Sequence, residues 1–131
     1  MNSRRACGAN IILVITLFLT LYSLPSVSAR PTVHTVGGDY GWTFDVRKWT
    51  KGKKFKAGDI LSFNYDPSFH NVVAVDVRGY RTCTASSKSK IYRSGKDRLK
   101  LLEGRHYFIC NIPGHCEEGM KIEVDVLGNT K

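Results

Sequence analysis

Hydrophobic and polar residues in this chain alternate over short runs and form no long helical stripe. Residues 121–126, Lys-Ile-Glu-Val-Asp-Val, alternate strictly, which is the two-residue period of a strand with one buried face. Less regular β-prone runs occupy residues 31–36, 59–65, 70–77, 91–93, 98–101, 106–110 and 120–127. Between them fall Gly37-Gly38, Lys51-Gly52, Gly58-Asp59, Asp66-Pro67, Arg78-Gly79, Ser94-Gly95 and Glu103-Gly104, pairs that mark turns. Short strands with turns about every ten residues predict an all-β antiparallel sandwich or barrel. Residues 45–50 are the expected helical turn and residues 86–90 are ambiguous, so one or two short helical segments are expected. The chain has no internal repeat and no low-complexity linker, and a single domain follows.

The first residues break this pattern. Arg4 and Arg5 precede an apolar stretch over residues 11–24, and Val27-Ser28-Ala29 supplies small residues at a cleavage position. This is the three-part pattern of a secretory signal peptide, expected to cover residues 1–29 and to be removed. The apolar stretch is interrupted by Thr16, Thr20 and Ser23 and is shorter than the about 20 residues a membrane span needs. The remaining domain covers residues 30–131. Loss of Arg4 and Arg5, with no acid among the first 29 residues, takes the formal net charge from +9 to +7. No hydrophobic tail precedes Lys131, so no membrane anchor is expected, and the protein is expected to be secreted, basic and monomeric.

Cysteine usage sharpens this picture. Cys7 leaves with the signal peptide, and Cys83, Cys110 and Cys116 remain. An odd count in an oxidising compartment implies one disulfide and one thiol with another task. Three pairings can be drawn. Cys110 ends the apolar run Tyr107-Phe108-Ile109, whereas Cys83 and Cys116 lie in polar, loop-like surroundings; this context favours Cys83–Cys116 and leaves Cys110–Cys116 open.

The leftover thiol stands in a pattern, Cys110-x4-His115-x4-Met120, and His70 lies 40 residues before Cys110 at the start of an apolar run. Cys110 ends one expected strand and Met120 begins the next, so the nine residues between them form a loop able to curl over a metal. Pro113-Gly114 bends the chain just before His115. Two imidazoles, a thiolate and a thioether are the donor set of a blue-copper electron-transfer centre. The expected cofactor is therefore one copper ion cycling between Cu(I) and Cu(II). Zinc held by His70, Cys110, His115 and Cys116 is the rival, but structural zinc usually shows closely paired ligands. His34 and His106 lack partners at such spacing and read as ordinary strand residues.

With these residues in view the chain resembles the phytocyanins, a plant branch of the blue-copper cupredoxins, and within them the plantacyanins. The resemblance is carried by Gly-Gly-x-x-Gly-Trp-Thr-Phe over 37–44, Phe-x-Ala-Gly-Asp-Ile-Leu-x-Phe-Asn-Tyr over 55–65, and His70-Asn71-Val72-Val73. It is completed by Tyr-Phe-Ile-Cys-Asn-Ile-Pro-Gly-His-Cys-x-x-Gly-Met over 107–120. It implies a Greek-key, cupredoxin-like β-sandwich, His70, Cys110, His115 and Met120 as copper ligands, and Cys83–Cys116 as the disulfide. It also implies that the side chain of Asn71 supports the thiolate loop.

Expected function follows from the same residues. The protein reads as an extracellular single-electron carrier whose redox partner, unidentified, docks near His115. The alternative is a cell-wall binding or signalling protein of reproductive tissue with structural copper. An enzyme is not expected, because four protein ligands leave no open position for substrate. Basic residues at 47–56 and 88–100 favour anionic surfaces, and an acidic cell-wall polysaccharide is the candidate polyanion. No nucleic-acid-binding motif is present.

Overall fold

The computed structural model describes residues 14–17 and 29–129. The chain divides into two compact units, Met1–Arg30 and Pro31–Lys131. In the first, residues 14–17 are helical and exposed, and the rest of the expected signal peptide up to residue 28 lies outside the described residues. Among the described residues no helix is long and apolar enough to cross a membrane.

The second unit contains β1 (Val33–Thr35), β2 (Phe55–Lys56), β3 (Ile60–Asn64), β4 (Val72–Val75), α1 (Val77–Thr82), β5 (Lys90–Tyr92), β6 (Lys96–Lys100), β7 (Gly104–Ile109) and β8 (Lys121–Leu127). They form two sheets, one ordered β1-β3-β6 and the other β2-β8-β7-β4-β5. β1 runs parallel to β3 and β2 parallel to β8, and every other pairing is antiparallel. The chain passes from one sheet to the other at every connection from β1 to β4, and again between β5 and β6 and between β6 and β7. These crossings produce the expected cupredoxin-like sandwich.

The alternation along β8 decides which face is inside. Ile122, Val124 and Val126 are buried, while Glu123 is half-buried and Asp125 exposed. They meet Leu61, Phe63, Val72, Phe108 and Trp42 in one core between the sheets. Each fully buried aliphatic side chain there contributes about 1.5–3 kcal/mol.

Three local expectations differ from the structure. The strand expected over 70–77 is only Val72–Val75, because the Asp76 carboxylate accepts from the Gly79 N–H at 2.8 Å and caps a helix. Arg78-Gly79, which reads as a turn, lies within that helix. Phe55–Lys56 adds a two-residue strand too short for any periodicity to reveal; it pairs with β8, Phe55 opposite Val126. The helical turn expected over 45–50 is present as a 3-10 turn, Val46–Thr50. A second such turn covers Gly38–Tyr40. Residues 86–89 form a turn, closed by the Ser89 N–H on the Ser86 carbonyl.

Candidate metal centre

One end of the sandwich gathers the starts of β4 and β8 and the end of β7. His70 and Asn71 precede β4, Cys110 directly follows β7, and Met120 directly precedes β8. The loop between Cys110 and Met120 is closed at its base by the Cys110 N–H on the Met120 carbonyl, 3.0 Å. Inside it, the Met120 N–H donates to His115 O, the His115 N–H to Ile112 O and the Gly119 N–H to Cys116 O, all at 3.0–3.1 Å. The loop is thus fastened at its base, at its tip and near its return to β8.

Gly119 is required where the loop meets the rest of the molecule. Its φ is +82°, and a Cβ there would stand 3.1 Å from the Cα of Asp45. The Asp45 N–H donates to Glu118 O at 3.1 Å, so the loop is clamped to the segment carrying Phe44. Gly41, at φ +71°, allows a similar approach: a Cβ there would lie 2.6 Å from Asn64 O. Trp42 then donates its backbone N–H to that same carbonyl at 2.9 Å. Its indole N–H donates to Asn71 O at 2.8 Å.

These constraints bring three donors together. The nitrogens of His70 and His115 and the sulfur of Cys110 all lie within 4.8 Å of one another. The two Nδ1 atoms are 3.1 Å apart, and Cys110 Sγ is 3.6 Å from Nδ1 of His115. Cys110 is completely buried, and both imidazoles are half-buried. Phe44 packs edge-on against both rings, its centroid 5.5 Å from that of His70 and 4.8 Å from that of His115.

The electrostatics suit a bound cation. Burial lowers the pKa of His70, and the neighbouring His115 charge adds to this against a smaller opposing pull from Asp66. This favours the neutral imidazole, the form that can ligate a metal. Burial pushes the Cys110 thiol up, while the backbone N–H groups of Asn71 and Ile112 work in the opposite sense. These N–H donors favour the thiolate, which is the ligating form. Two imidazole nitrogens facing each other beside a buried sulfur fit a soft-to-borderline metal such as copper.

Asn71 is bonded to the residue that follows Cys110. Its side-chain oxygen accepts from the Asn111 N–H at 3.0 Å, and its amide donates to Asn111 Oδ1 at 2.6 Å. The residue after Cys110 is thereby tied to the residue after His70. Met120 is fully buried in the core at the loop's return. Cys83 and Cys116 are disulfide-bonded with Cα atoms 5.6 Å apart, and among the described residues Cys110 is the free thiol. That bond removes Cys116 from the rival zinc set. His34 faces Asp59 at 2.9 Å and His106 contacts Leu102 O at 2.7 Å, both away from the centre. Sequence reasoning gave no role to Phe44 or Asn111, although Phe44 ends the Gly37–Phe44 motif and Asn111 adjoins Cys110.

Comparison with known proteins agrees with this arrangement. Residues 42–120 match the family model described as the plastocyanin-like domain. A basic blue protein of Cucumis sativus is 56% identical over 95 residues, which cover 72% of this chain and 99% of that protein. A chemocyanin of Lilium longiflorum is 45% identical over 123 residues, 94% of this chain and 93% of that one. The solved structure of cucumber basic protein, a blue copper protein, superimposes with a TM-score of 0.73 at 56% identity, covering 73% of this chain and 100% of the other.

Proposed function

The chain belongs to the plastocyanin-like family of blue copper proteins, in its basic blue protein branch, and from that membership we propose that it carries single electrons outside the cell. The observation that bears most weight is the convergence of His70, Cys110 and His115, whose donor atoms all lie within 4.8 Å of one another. In this reading those three residues would hold the copper, and Met120 would supply a weaker thioether. Copper bound there supplies a one-electron Cu(II)/Cu(I) couple.

The chain's own contribution is to keep the donors still. Cys110 sits at the end of a paired strand with its sulfur facing two backbone N–H groups. His115 is held by hydrogen bonds on both sides and by the disulfide at its neighbour Cys116. Donors fixed this firmly take nearly the same positions in either oxidation state, so little rearrangement opposes the electron's movement. His115 lies beside the exposed apolar residues Phe44 and Ile112, and a redox partner is read to dock at this edge.

Extracellular location follows from the signal-peptide reading of residues 1–29 and accords with the disulfide. The reading as a carrier, and not an enzyme, rests on the expectation that four protein donors would leave no open position on the copper for substrate. The test is to add copper to the purified protein and to its Cys110→Ser variant. The unsubstituted protein should become intensely blue and titrate reversibly with one electron, because the colour comes from charge transfer between thiolate sulfur and Cu(II). The variant should stay colourless; a blue Cys110→Ser protein would sink the proposal.

A further inference from the structure

The outer face of the three-stranded sheet carries charge of one sign only. Along β6 the exposed residues are Lys96, Arg98 and Lys100, while Asp97 and Leu99 turn toward the core. Successive cations on such a strand stand about 6.8 Å apart. Across the sheet they face Asn64, Ser62 and Ile60 of β3, and beyond these Thr35 and Val33 of β1. None of these positions is acidic or aromatic. The single acid of the segment, Asp97, is buried and takes hydrogen bonds from Tyr65 and Ser94 inside the sandwich. Neither ion pair among the described residues involves β6; these are His34–Asp59 and Arg105–Glu123.

This differs from the other basic region. The groove lined by Arg47, Lys53 and Arg105 also contains Glu123 and Asp125, which offset its charge. The β6 row has no such counter-charge. Lys88, Lys90 and Arg93 lie on the chain leading into it and are all exposed. β6 is also an edge strand, with one side unpaired.

We propose that the Lys96–Arg98–Lys100 row is a docking strip for a linear, carboxylate-bearing polysaccharide. A row of evenly spaced cations with no flanking aromatic ring matches a polymer recognised by its charge spacing. It lacks the stacking surfaces that unpaired nucleic-acid bases use. The choice of a polysaccharide also rests on the extracellular reading of the protein, but not on its copper chemistry. The strip runs along the sandwich from Lys96, opposite Asn64 near the metal end, toward Lys100.

The experiment compares the unsubstituted protein with two triple variants of equal charge. One is Lys96→Ser, Arg98→Ser, Lys100→Ser; the other is Lys48→Ser, Lys51→Ser, Lys54→Ser, all exposed positions elsewhere. Binding is measured to de-esterified polygalacturonate, to its fully methyl-esterified form and to single-stranded DNA, across a salt series, with folding of each variant checked by thermal melting. The β6 variant should bind polygalacturonate roughly tenfold or more weakly, as expected for loss of three solvent-exposed ion pairs, with a shallower salt dependence. The other variant should change it far less, and the methyl ester should not bind. Equal losses in both variants would show that only net charge matters. Undiminished binding by the β6 variant would leave its cations the bland role of blunting a sheet edge. DNA bound more tightly through the same residues would assign the strip to another polymer. Any of these three results overturns the proposal.

Discussion

Asn71 and Asn111 grip each other twice: the Asn111 N–H donates to Asn71 Oδ1 at 3.0 Å, and the Asn71 amide donates to Asn111 Oδ1 at 2.6 Å. They are 40 positions apart in the chain, and each adjoins one of the converging donors. The pair ties the loop after Cys110 to the segment that presents His70. Asn71 is 3% exposed, so truncating it leaves buried polar groups without partners. Asn71→Ala should cost about 1–3 kcal/mol and weaken copper binding together with stability. Denaturant unfolding of the metal-free protein and a copper competition titration check this; a variant equal to the parent in both would show the pair to be incidental.

Cys116 adjoins His115, and its disulfide partner Cys83 ends α1. The bridge closes a separation of 33 residues and therefore restricts both the unfolded chain and the metal loop. Replacing both cysteines with serine should lower stability by about 2–5 kcal/mol and speed copper release. Unfolding midpoints and release into a chelator are the measurements. Unchanged release alongside lowered stability would confine the bridge to the fold alone.

Met120 is read as the weak fourth ligand. A thioether is soft and favours Cu(I), whereas an amide oxygen is harder and favours Cu(II). Met120→Gln should leave the protein blue and lower its reduction potential, by about 59 mV for each tenfold change in relative affinity for the two oxidation states. Redox titration of both proteins at one pH and salt concentration decides the matter. An unchanged or raised potential would make Met120 core packing only.

Asp59 joins β1 to the turn before β3. Burial on its own would raise its pKa, but hydrogen bonds from His34 and from the N–H groups of Lys56 and Thr32 outweigh this and lower it. A carboxylate with a depressed folded-state pKa contributes stability above its unfolded pKa, about 3.9. That contribution is lost as pH falls through the lower folded value. Melting temperature should therefore drop on acidification below about pH 4, and Asp59→Asn should drop less over the same interval. Parallel pH profiles for the two proteins would refute the assignment.

Strand order follows poorly from a one-dimensional pattern, and the misplaced elements show why. The run 70–77 is dominated by valine, yet Asp76 within it caps a helix, and capping is a single-residue geometric event that periodicity averages away. Phe55–Lys56 becomes a strand only because β8 lies beside it. The spacing of apolar residues records which face is buried, not which neighbour buries it.

The chain by itself determined whatever is local. Cys110 and His115 occupy one loop between two strands, so their spacing already implied a shared site, and the alternation of Ile122, Val124 and Val126 already named a buried face. The unpaired thiol likewise followed from counting cysteines. Tertiary structure decided what is separated in sequence. His70 comes within 3.1 Å of His115 from 45 positions away because β4 and β7 pair in register, Val73 opposite Ile109. Phe44 reaches both rings because Gly41 lets its segment approach the end of β3. Asp97 turns inward and leaves β6 with cations alone, since the two-residue period assigns a side to each residue only once one face has a core to meet.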